Sequence, residues 1–497
     1  MPVLKLSTPG VYVQEIPSLP PAVAEVETAI PAFIGYAEKA DQVTAGDLLM
    51  VPTKISSFSE FIQYYGNAPV ETDDSITIAV QDSGNNNYNV LFSYDATKRS
   101  KYNLYYALQH FYDNGGGTCY IVAVDTYKTP SAVDKDKLKS GLALVADVDE
   151  VTLLAIPEAG KIDDPAAVDL TTDPPTLPPA YTDLVQAMIK QASDLKDRFA
   201  IIDPFMVTPK TPTVPTGNID KDVSIIRDAT LSVSENMYAA AYYPNVQTTY
   251  PYNYDFDNLT IDSYTLASGV SAPSVSNYQG QKISATGSGS ILYNKIKNTL
   301  NAELVTLPPS AAIAGLYTRV DNNKGVWKAP ANESLLSAVG PNLAISNREQ
   351  DTLNIDPVAG KSINVIRTFP GFGTLVWGAR TLAGNDNEWK YISVRRFFNM
   401  VEESVKKSSQ WAVFEPNTNG TWVKIQSMIE NYLFQKWRDG ALAGTKPEQA
   451  YYVKVGLGTT MTADDILEGR MIIEIGMAVA RPAEFIVLKF TQLMQQS

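Results

Sequence analysis

The chain has 497 residues, 44% of them hydrophobic and 19% charged, and a net charge of −14 at pH 7. A single core stops growing at roughly 250–300 residues, so more than one folding unit is expected. The acidic balance argues against nucleic acid or an anionic membrane as the main partner. No window of about 18 or more apolar residues predicts a membrane span. One cysteine, Cys119, excludes an intrachain disulfide. The first residues, MPVLKLSTPGVYVQEI, lack the apolar core of a signal peptide, so synthesis in the cytosol without a Sec signal is expected.

Residues 1–20 read as an arm. A strand-like run, Val11 to Ile16, is fenced by Pro9-Gly10 and by Pro17, Pro20 and Pro21, so its backbone must find partners elsewhere, in this subunit or another. Pro31 to Tyr36 predicts a strand, and Ser57 to Tyr65 a helix closed by Gly66. A helix over Leu104–Tyr112 ends at Asn114 and the glycines 115–117 and leads to a strand from Cys119 to Val124. Short buried strands follow at Val151–Ile156 and Phe199–Ile202, around a helix at Thr182–Lys196 marked by Leu184, Met188, Ala192 and Leu195. This alternation predicts right-handed βαβ units and a parallel sheet. Asp173–Pro179 and Thr208–Pro215 read as Pro-rich surface loops.

Tyr238–Tyr243 and Ala311–Tyr317 add two strand candidates. Between them, Pro244 to about Ser290 is rich in Tyr, Asn, Ser, Thr and Gly, and reads as an exposed insertion, hairpin-like or a long ordered loop. Helical spacing returns at Val394, Phe397, Phe398, Val401 and Val405, and again at Ile425, Met428, Ile429, Tyr432, Leu433 and Trp437. Thr462 and Asp465 have the spacing of a capping box opening a short helix that closes at Gly469. Met471–Ala480 predicts a strand. The terminal EFIVLKF, Glu484 to Phe490, is nearly all apolar and predicts a strand covered on both faces.

Enzyme motifs fail one by one. The single histidine, His110, lies off the apolar face of its helix and reads as a surface or interface residue, and one histidine with one cysteine cannot build a conventional zinc site. Gly360-Lys361-Ser362 resembles half a P-loop, but Ile355 replaces the first glycine and a strand follows where a helix is required. The glycines 115–117 follow a helix, the reverse of a dinucleotide-binding turn. Asp255 and Asp257 could open a calcium loop, but Leu259 takes the next ligand position. An α/β hydrolase would have to use His110 in its triad, and no Gly-x-Ser-x-Gly elbow is present. No cofactor or metal is expected.

Thr368–Asn417 is the most informative block. Glycines 371 and 373 mark a turn, Leu375-Val376-Trp377 follow, and a second turn at Gly384-Asn385 precedes a short strand, Tyr391–Val394, that runs into a helix. On that helix Glu402/Lys406 and Glu403/Lys407 are i,i+4 pairs in the favoured order. The run WGARTL, a short turn, then Tyr-Ile-x-Val-Arg-Arg entering a helix resembles the C-terminal domain of contractile-tail sheath proteins. These form the outer, shortening cylinder of contractile phage tails, R-type bacteriocins and phage-tail-like injection systems. TPGVYVQEI, AFIGYAEKA (Ala32–Ala40), YYALQHFYDNGGGTCYIVAV (Tyr105–Val124) and AAIAGLYTRVDNNKGVWKAPAN (Ala311–Asn332) are similar to further sheath landmarks, with Tyr127–Leu300 least covered.

The resemblance implies an α/β (α+β overall) chain and no catalysis. It divides into an N-terminal linker arm at 1–20 and a subtilisin-like parallel-sheet middle domain at 21–360 without catalytic residues, carrying the insertion near 244–290. A tube-facing α+β sheath domain at 361–480, packed with the N-terminal segment, and a C-terminal linker strand at 481–497 complete the layout. The implied partners are other copies in hexameric rings and a helical sheath, an inner tube protein, and baseplate and terminator or cap proteins, with no nucleic acid bound and no membrane insertion. Carried over, Val11, Tyr12, Val13, Gln14 and Ile16, with Phe485, Ile486, Val487, Leu488 and Phe490, are the strands that link subunits. Arg395, Arg396, Lys406 and Lys407 form either a solvated, internally paired face or a surface complementary to an acidic tube. A baseplate or end-capping component with a sheath-like fold is the structural alternative. The place implied is the bacterial cytoplasm during assembly, then a virion tail or a released injection particle.

Overall fold

The structure is a computed structural model that describes residues 22–489 except 96–97, 129–131, 164–176, 207–218 and 269–276. Val11–Ile16 and Phe490 therefore lie outside the described residues. The chain divides into two compact units, Glu27–Met400 with the residues from Arg481, and Val401–Ala480 with the residues up to Val26.

The larger unit is built on a nine-stranded sheet. Its parallel core runs, in spatial order, through Ile363–Phe369, Ala239–Tyr243, Phe199–Ile202, Leu153–Ala155, Pro31–Ala37 and Cys119–Thr126. Antiparallel strands close both sides: Thr53–Ile55 beside Cys119–Thr126, and Gly373–Trp377 then Glu333–Ser334 beside Ile363–Phe369. The first strand, Pro31–Ala37, sits between strands reached by crossings in opposite directions, the mark of a doubly wound sheet.

Alternation of side chains sends successive strand residues to two separate cores. Ala32, Ile34, Val122, Val124, Ile202 and Val365 pack with helices Lys135–Val145, Pro179–Leu195 and Ile219–Ala229. Phe33, Ile121, Ala123, Ile201 and Tyr242 pack with helices Leu104–Asp113 and Ser310–Lys324. The expected βαβ units and the helix and strand at 104–124 are present in this arrangement.

Four expectations need correction. Ala311–Tyr317 is not a strand but the interior of helix Ser310–Lys324, buried from Ser310 to Thr318. A short apolar run covered on every side carries no period by which to tell helix from strand. The helix lies so close to Leu104–Asp113 that a Cβ on Gly315 would fall 2.3 Å from the Phe111 carbonyl oxygen. The boundary expected at 360/361 cuts this sheet, because Ile363–Phe369 and Gly373–Trp377 are hydrogen-bonded members of it. Tyr391 makes only an isolated bridge to Arg380, and the helix begins at Ile392.

The region 244–290, expected to be hairpin-like or a long ordered loop, instead contributes strands that pair with elements outside it. Ser263–Leu266 pairs in parallel with Ile76–Asp82, itself antiparallel to Tyr88–Tyr94. Ile76, Ile78, Val80 and Val90 share a core with Leu259, Ile261, Ile283, Leu292, Ile296 and Leu300. Val246–Pro251 pairs instead with Leu304–Leu307 and Ala338–Pro341.

The smaller unit holds helix Asn419–Arg438, which buries Ile425, Met428, Ile429, Tyr432 and Leu433, and a two-stranded sheet, Tyr451–Val455 with Ile473–Met477. The capping box of Thr462 and Asp465 opens a helix at Ala463. Residues 22–26 run along this unit: the Ala24 and Val26 amides donate to Ser408 Oγ (3.0 Å) and Ser404 Oγ (3.1 Å), and Glu25 pairs with Lys436.

Candidate assembly surfaces

Residues 481–489 form no strand. Glu484 is held by Arg380, whose Nε and Nη2 donate at 3.0 and 2.7 Å, by Asn354 Nδ2 at 2.8 Å and by the Tyr391 hydroxyl at 3.2 Å. Burial pushes the Glu484 carboxyl up, but the hydrogen bonds from Arg380 and Asn354 outweigh it and hold the group below its ordinary value. The next four residues, Phe485, Ile486, Val487 and Leu488, are 68–79% exposed. Within one chain, then, the run is neither a strand nor covered. Among the described residues no strand of this chain pairs with it.

A second incomplete feature is the small sheet. A two-stranded sheet is marginal unless something packs on it or extends it. Tyr451–Val455 packs on helix Asn419–Arg438, from which Gln426 Nε2 donates to the Val453 carbonyl (3.2 Å). Just beyond the strand ends the Ala478 amide donates to the Ala450 carbonyl (2.8 Å), which places Tyr452 and Lys454 at the hydrogen-bonded pairs. The main-chain groups of Ile473, Ile475 and Met477 therefore point away from Tyr451–Val455. Among the described residues no further strand joins that side. Tyr452 lies flat over Gly476, where a Cβ would come 2.2 Å from the ring, and its hydroxyl donates to Glu474 (2.6 Å).

The four candidate charges separate into two pairs. Arg395 and Arg396 are buried, so neither presents its charge to a partner surface, contrary to the sharper expectation. Arg395 stacks on Trp389 (4.3 Å to the ring centroid) and Tyr238 (4.8 Å) and donates to Asn399 Oδ1 (2.7 Å). Arg396 forks onto Asp321 (3.1 and 2.5 Å), donates to the Thr28 carbonyl (2.9 Å) and lies over Tyr317 (4.4 Å). Lys406 and Lys407 both reach Glu403, at 3.0 and 3.4 Å, and Lys406 remains largely exposed. Helical spacing finds a stripe, but it cannot reveal that Trp389 and Tyr238 cover Arg395 or that Asp321 and Thr28 hold Arg396.

His110 is also corrected. It is fully buried, its Nε2 lies 3.0 Å from the Leu336 carbonyl, and burial pushes its pKa down to about 4. Leu336, whose amide donates to Asn114 Oδ1, and Tyr250, edge-on to the imidazole, cover it. Its Nδ1 has no hydrogen-bond partner, so His110 forms no nucleophile pair. Lys361 bonds the Arg227 and Thr230 carbonyls, and Ile363 begins a strand rather than a phosphate-cradling helix. Among the described residues no cluster of His, Cys, Asp and Glu is placed to hold a metal, and no helix is long and apolar enough to cross a membrane.

Fold and surfaces define an α/β protein with an open strand edge and an exposed apolar run. Residues 234–382 match the phage tail sheath protein central domain and 384–492 the phage tail sheath C-terminal domain. Across 98% of its length the chain is similar to the anti-feeding prophage (AFP) helical sheath in the contracted state (30% identity, TM-score 0.61, 99% of that chain). It is likewise similar to a chain of the AFP baseplate structure (31% identity, TM-score 0.61, 98% of this chain and 100% of that one). The sheath complex of the extracellular contractile injection system PVC, contracted, matches at 28% identity and TM-score 0.59 over 98% of each chain. The tail sheath protein of Enterobacteria phage T4 is 27% identical over 188 residues, 37% of this chain, and that of Burkholderia phage BcepMu 29% identical over 149 residues, 29% of this chain. Those stretches span 27% and 31% of the two relatives' own lengths. The chain belongs to the phage tail sheath family, and its role is a structural one in a tail or contractile injection machine.

Proposed function

We propose that the chain polymerises as stacked hexameric rings around an inner tube and contracts from a metastable extended state, driving the tube through a target envelope. The observation that carries this is the open edge at Ile473, Ile475 and Met477, together with an exposed apolar run at Phe485–Leu488 that needs a ladder. Strand addition from Val11–Ile16 or Phe485–Phe490 of neighbouring copies satisfies both. Each backbone hydrogen bond contributes about 0.5–1.5 kcal/mol net, so one short strand is a weak joint. Several joints per copy closed into a lattice rarely release together. The bodies they connect can then repack, and a preference of a few kcal/mol per copy, as bistable packings allow, sums along the cylinder.

In this reading the larger unit is a subtilisin-like scaffold without its catalytic residues, and the smaller unit faces the tube with Lys406 and Lys407. Its partners are other copies, the tube protein, and baseplate and terminator proteins. Assembly takes place in the bacterial cytoplasm, before release in a virion or an injection particle. The likeness to a chain of the AFP baseplate structure favours, as second reading, a sheath-like baseplate component.

Deleting residues 1–16 tests the proposal. The expected result is a folded chain by circular dichroism that forms no sheaths in negative-stain images. Normal sheaths from that deletion would remove the linker role of the N-terminal arm.

A further inference from the structure

The terminal run does not leave the body loosely. Residues from Arg481 cluster with the larger unit, and Glu484 stands immediately before four exposed apolar residues. Its carboxylate receives hydrogen bonds from three side chains, those of Arg380, Asn354 and Tyr391. Arg380 is itself fixed: its side chain is 7% exposed, its Nη1 donates to the Gly384 carbonyl (3.3 Å), and its backbone amide donates to Asn364 Oδ1 (2.8 Å). Asn364 lies inside the parallel strand Ile363–Phe369 and also donates to the Ala241 carbonyl of the next strand (3.2 Å). A continuous set of hydrogen bonds thus joins Glu484 to the central sheet. An exposed ion pair would contribute little, but a forked arginine on a mostly buried carboxylate gives directional hold.

We propose that Glu484 is a positioning residue that anchors the root of the Phe485–Leu488 run to the central sheet, setting the run's direction and receiving the pull on it. This rests on the reading that the run joins copies. A run fixed at its root loses less freedom when it docks than a free tail would, and its tip samples a smaller volume.

Spin labelling tests it directly. Cys119 is fully buried and burial pushes its thiol up to about 12, so a label on Val487→Cys reports the run alone. In the unassembled chain Glu484→Gln should raise label mobility several-fold without lowering the melting temperature. Particles carrying Glu484→Gln and no label should come apart at a lower guanidinium concentration than wild type. Unchanged label mobility overturns the anchor, and so does a lowered melting temperature with unchanged mobility, since the contact would then serve the fold alone. Val487→Asp separates the two ideas: normal assembly by that variant would refute the joining role, whatever Glu484 does.

Discussion

Replacing Arg396 with alanine should unfold the larger unit more readily rather than alter a partner surface. Arg396 and Asp321 side chains are 3% and 5% exposed, and the fork between them is the main compensation for either charge. Without the guanidinium, Asp321 keeps the Thr28 hydroxyl (2.6 Å) as a neutral donor. Breaking a buried pair from one side costs about 3–5 kcal/mol, and the lost contact over Tyr317 adds roughly 0.5–2 kcal/mol. Folded domains hold only about 5–15 kcal/mol in all, so the variant should show a large drop in urea midpoint. The double variant Arg396→Met, Asp321→Leu removes both charges and should recover most of the loss, because well-packed apolar replacements of buried pairs are often neutral. The assay is urea denaturation of the unassembled chain by circular dichroism. A loss under about 1 kcal/mol for Arg396→Ala, with reduced particle yield, would refute the buried-pair argument and return Arg396 to a partner surface.

Burial pushes the carboxyls of Glu158 and Asp203 up to about 7, although each accepts backbone amides at a helix start, Asn103 and Leu104 for the first and Ser310 for the second. Both are raised above their unfolded values, so the folded chain holds protons that the unfolded chain has lost. Their contribution to stability is full below about pH 4 and disappears as pH rises to about 7. Glu158→Gln and Asp203→Asn should each flatten that part of the stability–pH curve, as read by urea midpoints from pH 5 to 8; an unaltered slope in both counts against the assignment. Reversing Lys406 and Lys407 to glutamate should lower the yield of extended particles while leaving the melting temperature within a few degrees of wild type. Unchanged yield would leave these lysines as an ordinary solvated face.

The parallel sheet was legible because its strands are short apolar runs closed by turns, with helical periods between them. Helix ends were legible where capping chemistry is local, as at Ser57, Gly66 and Thr462. Ala311–Tyr317 was not, since burial on all sides erases the period. The Ile76–Asp82 strand does carry a local signal, the alternation of Ile76, Ile78 and Val80 before a turn at 83–87. Neither Glu484 on Arg380 nor Arg396 on Asp321 could be read from spacing. The first pair is 104 residues apart and the second 75, and only the fold brings them together.

The most direct measurement is the structure of an assembled particle, determined at a resolution that traces strands. Expected is a segment from another copy, Val11–Ile16 or Phe485–Phe490, hydrogen-bonded along Ile473–Met477. An assembled particle in which that edge faces solvent and both terminal segments lie on their own chain would contradict strand-linked assembly outright.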